Sequence, residues 1–201
     1  MYPRILQKFD NFLVKAIYKY ANRKWYNSPL TKKIRANKEE YLKIWKETKA
    51  KKYSIVDDFE KKTGYKIDIN WYDELALHTQ VVIKKSDLCY VHGRLLYASL
   101  RKYIEKSKFE NINILETGTA LGFSSVCMAK VMHDTKTCGK IITFDVLPHN
   151  VKMYWNCIDD NERKKTRAEL LKPYGNLTEK YIMFHQGNTK TEVKVQMRVK
   201  F

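Results

Sequence analysis

Short apolar runs bounded by turn residues recur three times in the second half of the chain. They cover residues 112–116, 140–145 and 181–186. Runs of this length between turn residues indicate strands that are buried on both faces. After a glycine turn, the first run continues into a segment whose apolar residues recur at helical spacing. The pattern therefore predicts an α/β fold in which parallel strands alternate with helices.

Residues 2–26 have the pattern of an amphipathic helix with basic residues away from its apolar stripe. The stripe comprises Ile5, Phe9, Leu13, Ile17 and Tyr20. A basic amphipathic helix can rest on an anionic membrane surface. The same stripe can also pack on its own domain or on a second subunit, which would make the protein a homo-oligomer. The sequence leaves these three alternatives open.

Three further helices are predicted before the first strand. Residues 31–52 form an exposed helix rich in Lys and Glu, and residues 53–64 form a shorter one that a glycine closes. Residues 88–107 form a third helix that leads into the first strand, and the segment 162–171 downstream also reads as a helix. We accordingly divide the chain into a helical N-terminal extension, 1–87, and an α/β domain, 88–201.

The turn after the first strand contains an acidic residue and two glycines. Glu116 ends the strand, and Gly118 and Gly122 follow four residues apart. A strand, glycine turn and helix direct free backbone N–H groups and a helix N-terminus toward a ligand. Gly118 can adopt a positive φ, and Gly122 lets a ligand or the next helix come close.

The spacing of this turn differs from the G-x-G-x-x-G pattern that binds dinucleotides. A carboxylate such as that of Glu116 would repel a pyrophosphate but suits a cationic ligand. Asp145, at the end of the second strand, is placed to accept hydrogen bonds from ribose hydroxyls, as an acidic residue does in such folds. An Asp in this position can equally be a turn or cap residue.

The E-x-G-x-x-x-G pattern resembles the first motif of the class I S-adenosylmethionine-dependent methyltransferases, whose cofactor carries an ammonium and a sulfonium and has no phosphate. The similarity extends from about Leu88 to Asn188. The residues around the segments ETGTALGFSS and FHQGNT resemble the macrocin O-methyltransferases in particular. It implies the first half of a Rossmann-like parallel sheet that binds S-adenosylmethionine. The implied cofactor-binding residues are Glu116, Thr117, Gly118, Gly122, Asp145 and Asn188, the last of them in an adenine-binding turn.

The resemblance also implies methyl transfer to an oxygen of a small molecule or sugar. It identifies no catalytic residue and no metal ligand in this chain, although Mg²⁺ can assist in full-length relatives. His78, His92 and His149 are candidate contacts for the substrate or cofactor, and each also has a structural explanation. Only 13 residues follow Asn188, whereas the family's sheet has seven strands. The expectation is therefore a sheet that is incomplete after its third strand.

The composition adds a strong positive charge. The 201 residues include 39 Lys and Arg against 22 Asp and Glu, a net charge of +17. This charge suggests nucleic acid, a membrane surface or a phosphorylated substrate as partner, or simply a solvated basic surface. No apolar run approaches the ~18 residues of a membrane span. The four cysteines form no C-x-x-C pair and the N-terminus lacks a secretory pattern, which favours reduced thiols in the cytoplasm.

Two other functions remain open from the sequence. The first is a nicotinamide-dependent oxidoreductase on a similar sheet, against which the glycine spacing argues. The second is a non-catalytic basic module that binds RNA or a membrane, although no RNA-binding motif is present.

Overall fold

The computed structural model of the chain describes residues 4–21, 23 and 32–189. Its centre is a parallel sheet of three strands in the order β1-β2-β3. The strands are β1 (Ile114–Thr117), β2 (Ile141–Asp145) and β3 (Ile182–Gln186). All three predicted strands are confirmed, each within two residues of the expected bounds. Helices connect the strands, so the predicted Rossmann-like α/β arrangement is confirmed as well.

Eight α-helices are assigned within the described residues. They are α1 (Arg4–Ala21), α2 (Lys38–Lys49), α3 (Ser54–Thr63), α4 (Ile69–Thr79), α5 (His92–Ser107), α6 (Phe123–Asp134), α7 (Arg167–Leu170) and α8 (Gly175–Tyr181). The stretch between the predicted helices 2–26 and 31–52 lies outside the described residues. Helix α4 was not predicted. It begins where the Asp68 side chain accepts a 2.8 Å hydrogen bond from the backbone of Trp71, a local N-cap.

Three predicted helices are shorter than expected. The helix predicted over 31–52 is confined to α2, which begins behind the N-cap residue Asn37. Its Tyr41 is fully buried, so the expectation of an exposed helix was wrong for that face. The helix predicted from residue 88 starts at His92 because the carbonyls before it bond to side chains: Cys89 accepts from Gln80 and Tyr90 accepts from the Tyr72 hydroxyl. Cys89 therefore lies before the helix, and the expectation that it falls within one was wrong. The helix predicted over 162–171 shrinks to α7 because the backbone of Lys165 pairs with Met153 in an antiparallel bridge.

The two faces of the sheet have different surroundings. Ile114, Ile141 and Ile182 are in register across the strands and face the apolar core that also contains α6. The next register position carries Leu115, Ile142 and Met183 on the opposite face. Leu115 is 47% exposed and Met183 is 44% exposed. The main core of the described structure therefore lies on one side of the sheet, and the expectation that β1 and β3 are buried on both faces was wrong.

One apolar cluster joins the N-terminal helices to the sheet. Tyr41 of α2, Tyr72 of α4, Val126 of α6 and Ile141 of β2 all belong to it and are fully buried. Helices α2 and α4 thus share a core with the strands. The division at residues 87 and 88 stays a prediction.

A second, smaller cluster lies over the glycine turn. Leu121 of the turn packs with Trp155, Cys157 and Leu170. The segment between β2 and α8 therefore covers part of the carboxyl edge of the sheet, where the predicted site lies. All four cysteines are free thiols, with Cys127 and Cys157 buried. In the parts of the chain that the structure describes, no helix is long and apolar enough to span a bilayer.

Candidate functional site

The turn between β1 and α6 has the backbone conformation that its glycines predict. Gly118 has a φ of +86° and Gly122 has a φ of +98°, and Ala120 between them is also positive at +47°. The Gly118 N–H donates to the Phe144 carbonyl of β2 at 2.8 Å, which holds the turn at the end of the sheet. A Cβ atom at Gly118 would meet nothing within 4 Å. The turn is therefore open beside Gly118.

Glu116 has one carboxylate oxygen engaged and one available. Its Oε2 accepts hydrogen bonds from the Ser125 hydroxyl and, at 2.6 Å, from the Thr143 hydroxyl. Thr143 in turn shares a 2.6 Å hydrogen bond with the Thr119 hydroxyl. Among the described residues, no hydrogen bond reaches Oε1 of Glu116. The carboxylate is thus fixed in orientation from the side of α6 and β2.

Burial raises the pKa of the Glu116 carboxyl above its usual value. The hydrogen bonds from Ser125 and Thr143 and the positive charge of Arg167 lower this pKa without cancelling the effect of burial. A raised pKa means that the ionised form is less well solvated than in water. A cation beside Oε1 would therefore be attracted strongly, because little solvent screens the pair.

Asp145 fastens the end of β2 to the glycine turn. Its Oδ2 accepts a hydrogen bond from the Ala120 backbone at 2.5 Å, and its Oδ1 accepts one from the Leu147 backbone at 2.7 Å. The side chain is buried, and the residue as a whole is 8% exposed. The turn-residue role that the sequence left open is thus present in the geometry. The ribose-binding role stays a prediction.

Arg167, the first residue of α7, is a component of this region that the sequence did not reveal. It is 1% exposed. Its Nε donates to the Ala120 carbonyl at 2.8 Å, its Nη2 donates to the Leu147 carbonyl at 3.4 Å, and Nη2 lies 3.9 Å from Oδ2 of Asp145. Arg167 therefore binds the same two backbone segments as Asp145, but through their carbonyls. No local pattern marks it, because its partners lie 20 and 47 residues away in the chain.

Burial lowers the pKa of the Arg167 guanidinium to about 10, although the Asp145 and Glu116 carboxylates raise it. The group remains protonated at neutral pH. A positive charge is therefore enclosed behind the glycine turn, 3.9 Å from Oδ2 of Asp145.

Gly122 makes a close approach to a different neighbour from those expected. A Cβ atom on Gly122 would lie 2.8 Å from Cδ1 of Leu171. Leu171 directly follows α7 and belongs to the segment that covers the turn. The neighbour at Gly122 is therefore a residue of the covering segment, which the sequence did not indicate. A role of Gly122 in cofactor binding stays a prediction.

The remaining predicted residues lie at the same edge of the sheet. Thr117 ends β1 and is exposed, and Asn188 lies two residues beyond β3 and is also exposed. The Gly187 N–H donates to the Asp145 carbonyl at 2.8 Å, which brings the turn after β3 next to the end of β2. The three turns that carry the predicted cofactor residues thus meet at the carboxyl edge, where open α/β sheets bind ligands.

His149 lies just beyond Asp145 in the chain and stacks on Phe184 of β3, with ring centroids 4.3 Å apart. Among the described residues its Nδ1 is buried without a hydrogen-bond partner. Burial, with a smaller contribution from the charge of Arg167, lowers the pKa of His149 to about 4. The ring is therefore neutral at physiological pH. It lines a cavity of about 290 Å³ together with Phe184, Leu171 and Lys172.

The other two candidate histidines have partners in the structure. Nε2 of His92 lies 2.9 Å from the hydroxyl of Ser124 at the start of α6, and its Nδ1 lies 2.6 Å from the Cys89 carbonyl. His78 on α4 lies 2.6 Å from a carboxylate oxygen of Asp159, whose other oxygen pairs with Lys165 at 2.6 Å. Burial opposes ionisation of Asp159, but these hydrogen bonds lower its pKa overall. The structural roles that the sequence allowed for both histidines are therefore present.

Within the described part of the chain, no group of three or more His, Cys, Asp or Glu side chains is arranged to hold a metal ion.

Comparison with known proteins gives weak likenesses only. No protein-family model and no curated protein matches the chain. The SAH-bound methyltransferase PaMTH1 of Podospora anserina is 15% identical with a TM-score of 0.34, over 91% of this chain and 52% of that protein. A cyclopropane-fatty-acyl-phospholipid synthase-like protein of Lactobacillus casei is 13% identical with a TM-score of 0.33, over 64% of this chain and 42% of that protein. The chain spans about half the length of these structures or less.

Proposed function

We propose that the chain binds S-adenosylmethionine at the carboxyl edge of its sheet and serves methyl transfer to an oxygen of a small molecule or sugar. The observation that carries the proposal is the carboxylate of Glu116. Two hydroxyls hold its Oε2, while no hydrogen bond from a described residue reaches Oε1, beside the open turn at Gly118. An ammonium-bearing ligand without phosphate fits this arrangement, because a half-buried carboxylate attracts a cation and repels a pyrophosphate.

The residues present fit such a ligand in two respects. The missing Cβ at Gly118 lets a ligand approach the backbone of the turn. Each oxygen of Asp145 already accepts one backbone hydrogen bond, and a carboxylate oxygen can accept two. Ribose hydroxyls would therefore donate to the lone pairs that the backbone leaves. Asn188 would lie at the far end, in the turn that Gly187 joins to β2.

The proposed chemistry depends mainly on position. When bound, S-adenosylmethionine supplies a methyl group on a sulfonium that an oxygen nucleophile can attack. Glu116 would hold the ammonium group, and the glycine turn would fix the direction of approach, because alignment of two reactants supplies much of the rate of such a transfer. The Arg167 guanidinium would keep the turn in place from behind.

The test compares Glu116→Gln with Glu39→Gln, an exposed glutamate of α2. Loss of a charge-assisted interaction costs about 1.5–3 kcal/mol, so Glu116→Gln should weaken S-adenosylmethionine binding roughly 10- to 150-fold in calorimetry. Gln retains an oxygen that can accept from Ser125 and Thr143, so the fold should persist. Unchanged affinity in folded Glu116→Gln would refute the proposal. Binding of NADH in place of S-adenosylmethionine would favour the oxidoreductase.

The same titration has a characteristic pH dependence. Because burial raises the pKa of Glu116, the carboxylate takes up a proton at a higher pH than an exposed glutamate does. Affinity for S-adenosylmethionine should therefore fall as the pH is lowered through that raised value. Glu116→Gln should lose this dependence, and a variant that keeps it would assign the titration to another group.

A further inference from the structure

Helix α1 presents a row of apolar side chains to solvent. Their exposed fractions range from 41% to 66%. The residues are Phe9, Phe12, Leu13, Val14, Ile17 and Tyr20. Packing on its own domain, one of the three alternatives that the sequence allowed, would have buried this row. The described structure leaves it uncovered.

The polar side of α1 is basic. The helix carries four basic residues and a single acidic one. Lys15 and Lys19 are exposed and lie one turn apart, three and seven residues after Phe12, so they line the border of the apolar row. A helix with aromatic and aliphatic residues on one face and lysines beside them has the composition of a helix that lies in a membrane interface.

We propose that α1 binds an anionic membrane surface, with its apolar row in the boundary between headgroups and acyl chains and its lysines at the lipid phosphates. Charge separates this partner from a second copy of the chain. Each copy carries a net charge of +17, so two copies repel, whereas anionic lipid attracts the basic face. A nucleic acid would engage the lysines but leave Phe12 and Ile17 in water. A lipid surface would bury the apolar row and place the lysines beside anionic headgroups.

The experiment uses the full chain and vesicles in a sedimentation assay. One set of vesicles is phosphatidylcholine, and the other contains roughly a third phosphatidylserine to supply the anionic surface. The chain should bind the phosphatidylserine vesicles at least tenfold more strongly. Lys15→Gln with Lys19→Gln should weaken that binding about 25-fold, since each cation near an anionic surface contributes about fivefold.

The apolar row is tested separately. Phe12→Ser with Ile17→Ser removes two side chains that are each 66% exposed, and binding should fall at least tenfold. The matched controls lie on α3: Ile55→Ser, at a side chain that is 82% exposed, and Lys61→Gln with Lys62→Gln. These controls should bind like the original chain. All variants should have the thermal unfolding midpoint of the original chain. Their binding of S-adenosylmethionine without vesicles should also be unchanged, which separates this inference from the proposed function.

Three results would overturn the inference. Vesicle binding that is equal in the α1 variants and the controls would assign the attraction to the general charge of the chain. If the original chain self-associates and does not bind vesicles, and Phe12→Ser with Ile17→Ser abolishes the self-association, the apolar row belongs to an interface with a second copy. Binding of an RNA oligomer that depends on Lys15 and Lys19 but not on Phe12, again without vesicle binding, would assign the helix to nucleic acid.

Discussion

Replacement of Asp145 by alanine should destabilise the fold as well as alter the site. The change removes two charge-assisted hydrogen bonds, of 2.5 Å to the Ala120 N–H and 2.7 Å to the Leu147 N–H. Such bonds contribute about 1.5–3 kcal/mol each. Ala120 is exposed and Leu147 is half-buried, so water can reach these N–H groups and the lower values apply. Arg167 also loses the carboxylate 3.9 Å from its Nη2. We expect Asp145→Ala to lower the free energy of unfolding by about 3–4 kcal/mol.

Urea unfolding followed by circular dichroism measures this change. With a slope of about 2 kcal/mol per molar urea, the midpoint should fall by about 1.5–2 M. Asp145→Asn keeps one oxygen acceptor and should lose about half as much. Asp58→Ala, at an exposed carboxylate of α3, is the control and should change stability by no more than about 0.5 kcal/mol.

A loss below about 1 kcal/mol for Asp145→Ala would refute this account of the fastening between β2 and the glycine turn. A double-mutant cycle with Arg167→Met locates the coupling. The two changes should combine to less than their sum, because each one alone leaves an unpaired charge behind. Strict additivity would show that the guanidinium and the carboxylate act independently.

Two further predictions follow from the same region. Gly118→Ala should lower the free energy of unfolding in urea by about 1–2 kcal/mol, because alanine is strained at a positive φ. Gly122→Ala should lower it further, because its Cβ would also lie 2.8 Å from Leu171. Equal losses for the two variants would contradict the contact with Leu171. His149, with a pKa of about 4 in the folded chain against about 6.5 unfolded, should reduce stability by up to about 2–3 kcal/mol as the pH falls from 6.5 to 4. His149→Phe should remove that part of the pH dependence of stability. A stability profile that the substitution leaves unchanged would show that His149 is not the group responsible.

The strands and the glycine turn could be predicted because local pattern determines them. Apolar runs and glycine spacing are patterns that span about ten residues or fewer. The observed bounds of β1 and β2 lie within two residues of the predicted ones. Arg167 could not be predicted as part of the site. Its acceptor Ala120 lies 47 residues away, and nothing in the pattern around residue 167 indicates a buried charge.

The start of α5 illustrates the same limit. Residues 88–91 have helical composition, but the Cys89 and Tyr90 carbonyls bond to the Gln80 and Tyr72 side chains instead of to a following turn. Tertiary hydrogen bonds therefore decided where the helix begins. The neighbour of Gly122 was missed for a related reason: the glycine indicates a close approach, while the identity of Leu171 depends on how the covering segment folds back.

The parallel order of the strands means that the candidate site cannot form from one segment of chain. Glu116 and Thr143, which share a hydrogen bond, are 27 residues apart, and the Ala120–Asp145 bond joins residues 25 apart. Each of these contacts appears only when β1 and β2 pair, and pairing at such separation is slow to establish. Occupation of the turn and assembly of the sheet are consequently linked equilibria. A ligand at 100 times its dissociation constant would add about 2.7 kcal/mol to the stability of the whole sheet, so thermal stabilisation can serve as a screen for what the turn binds.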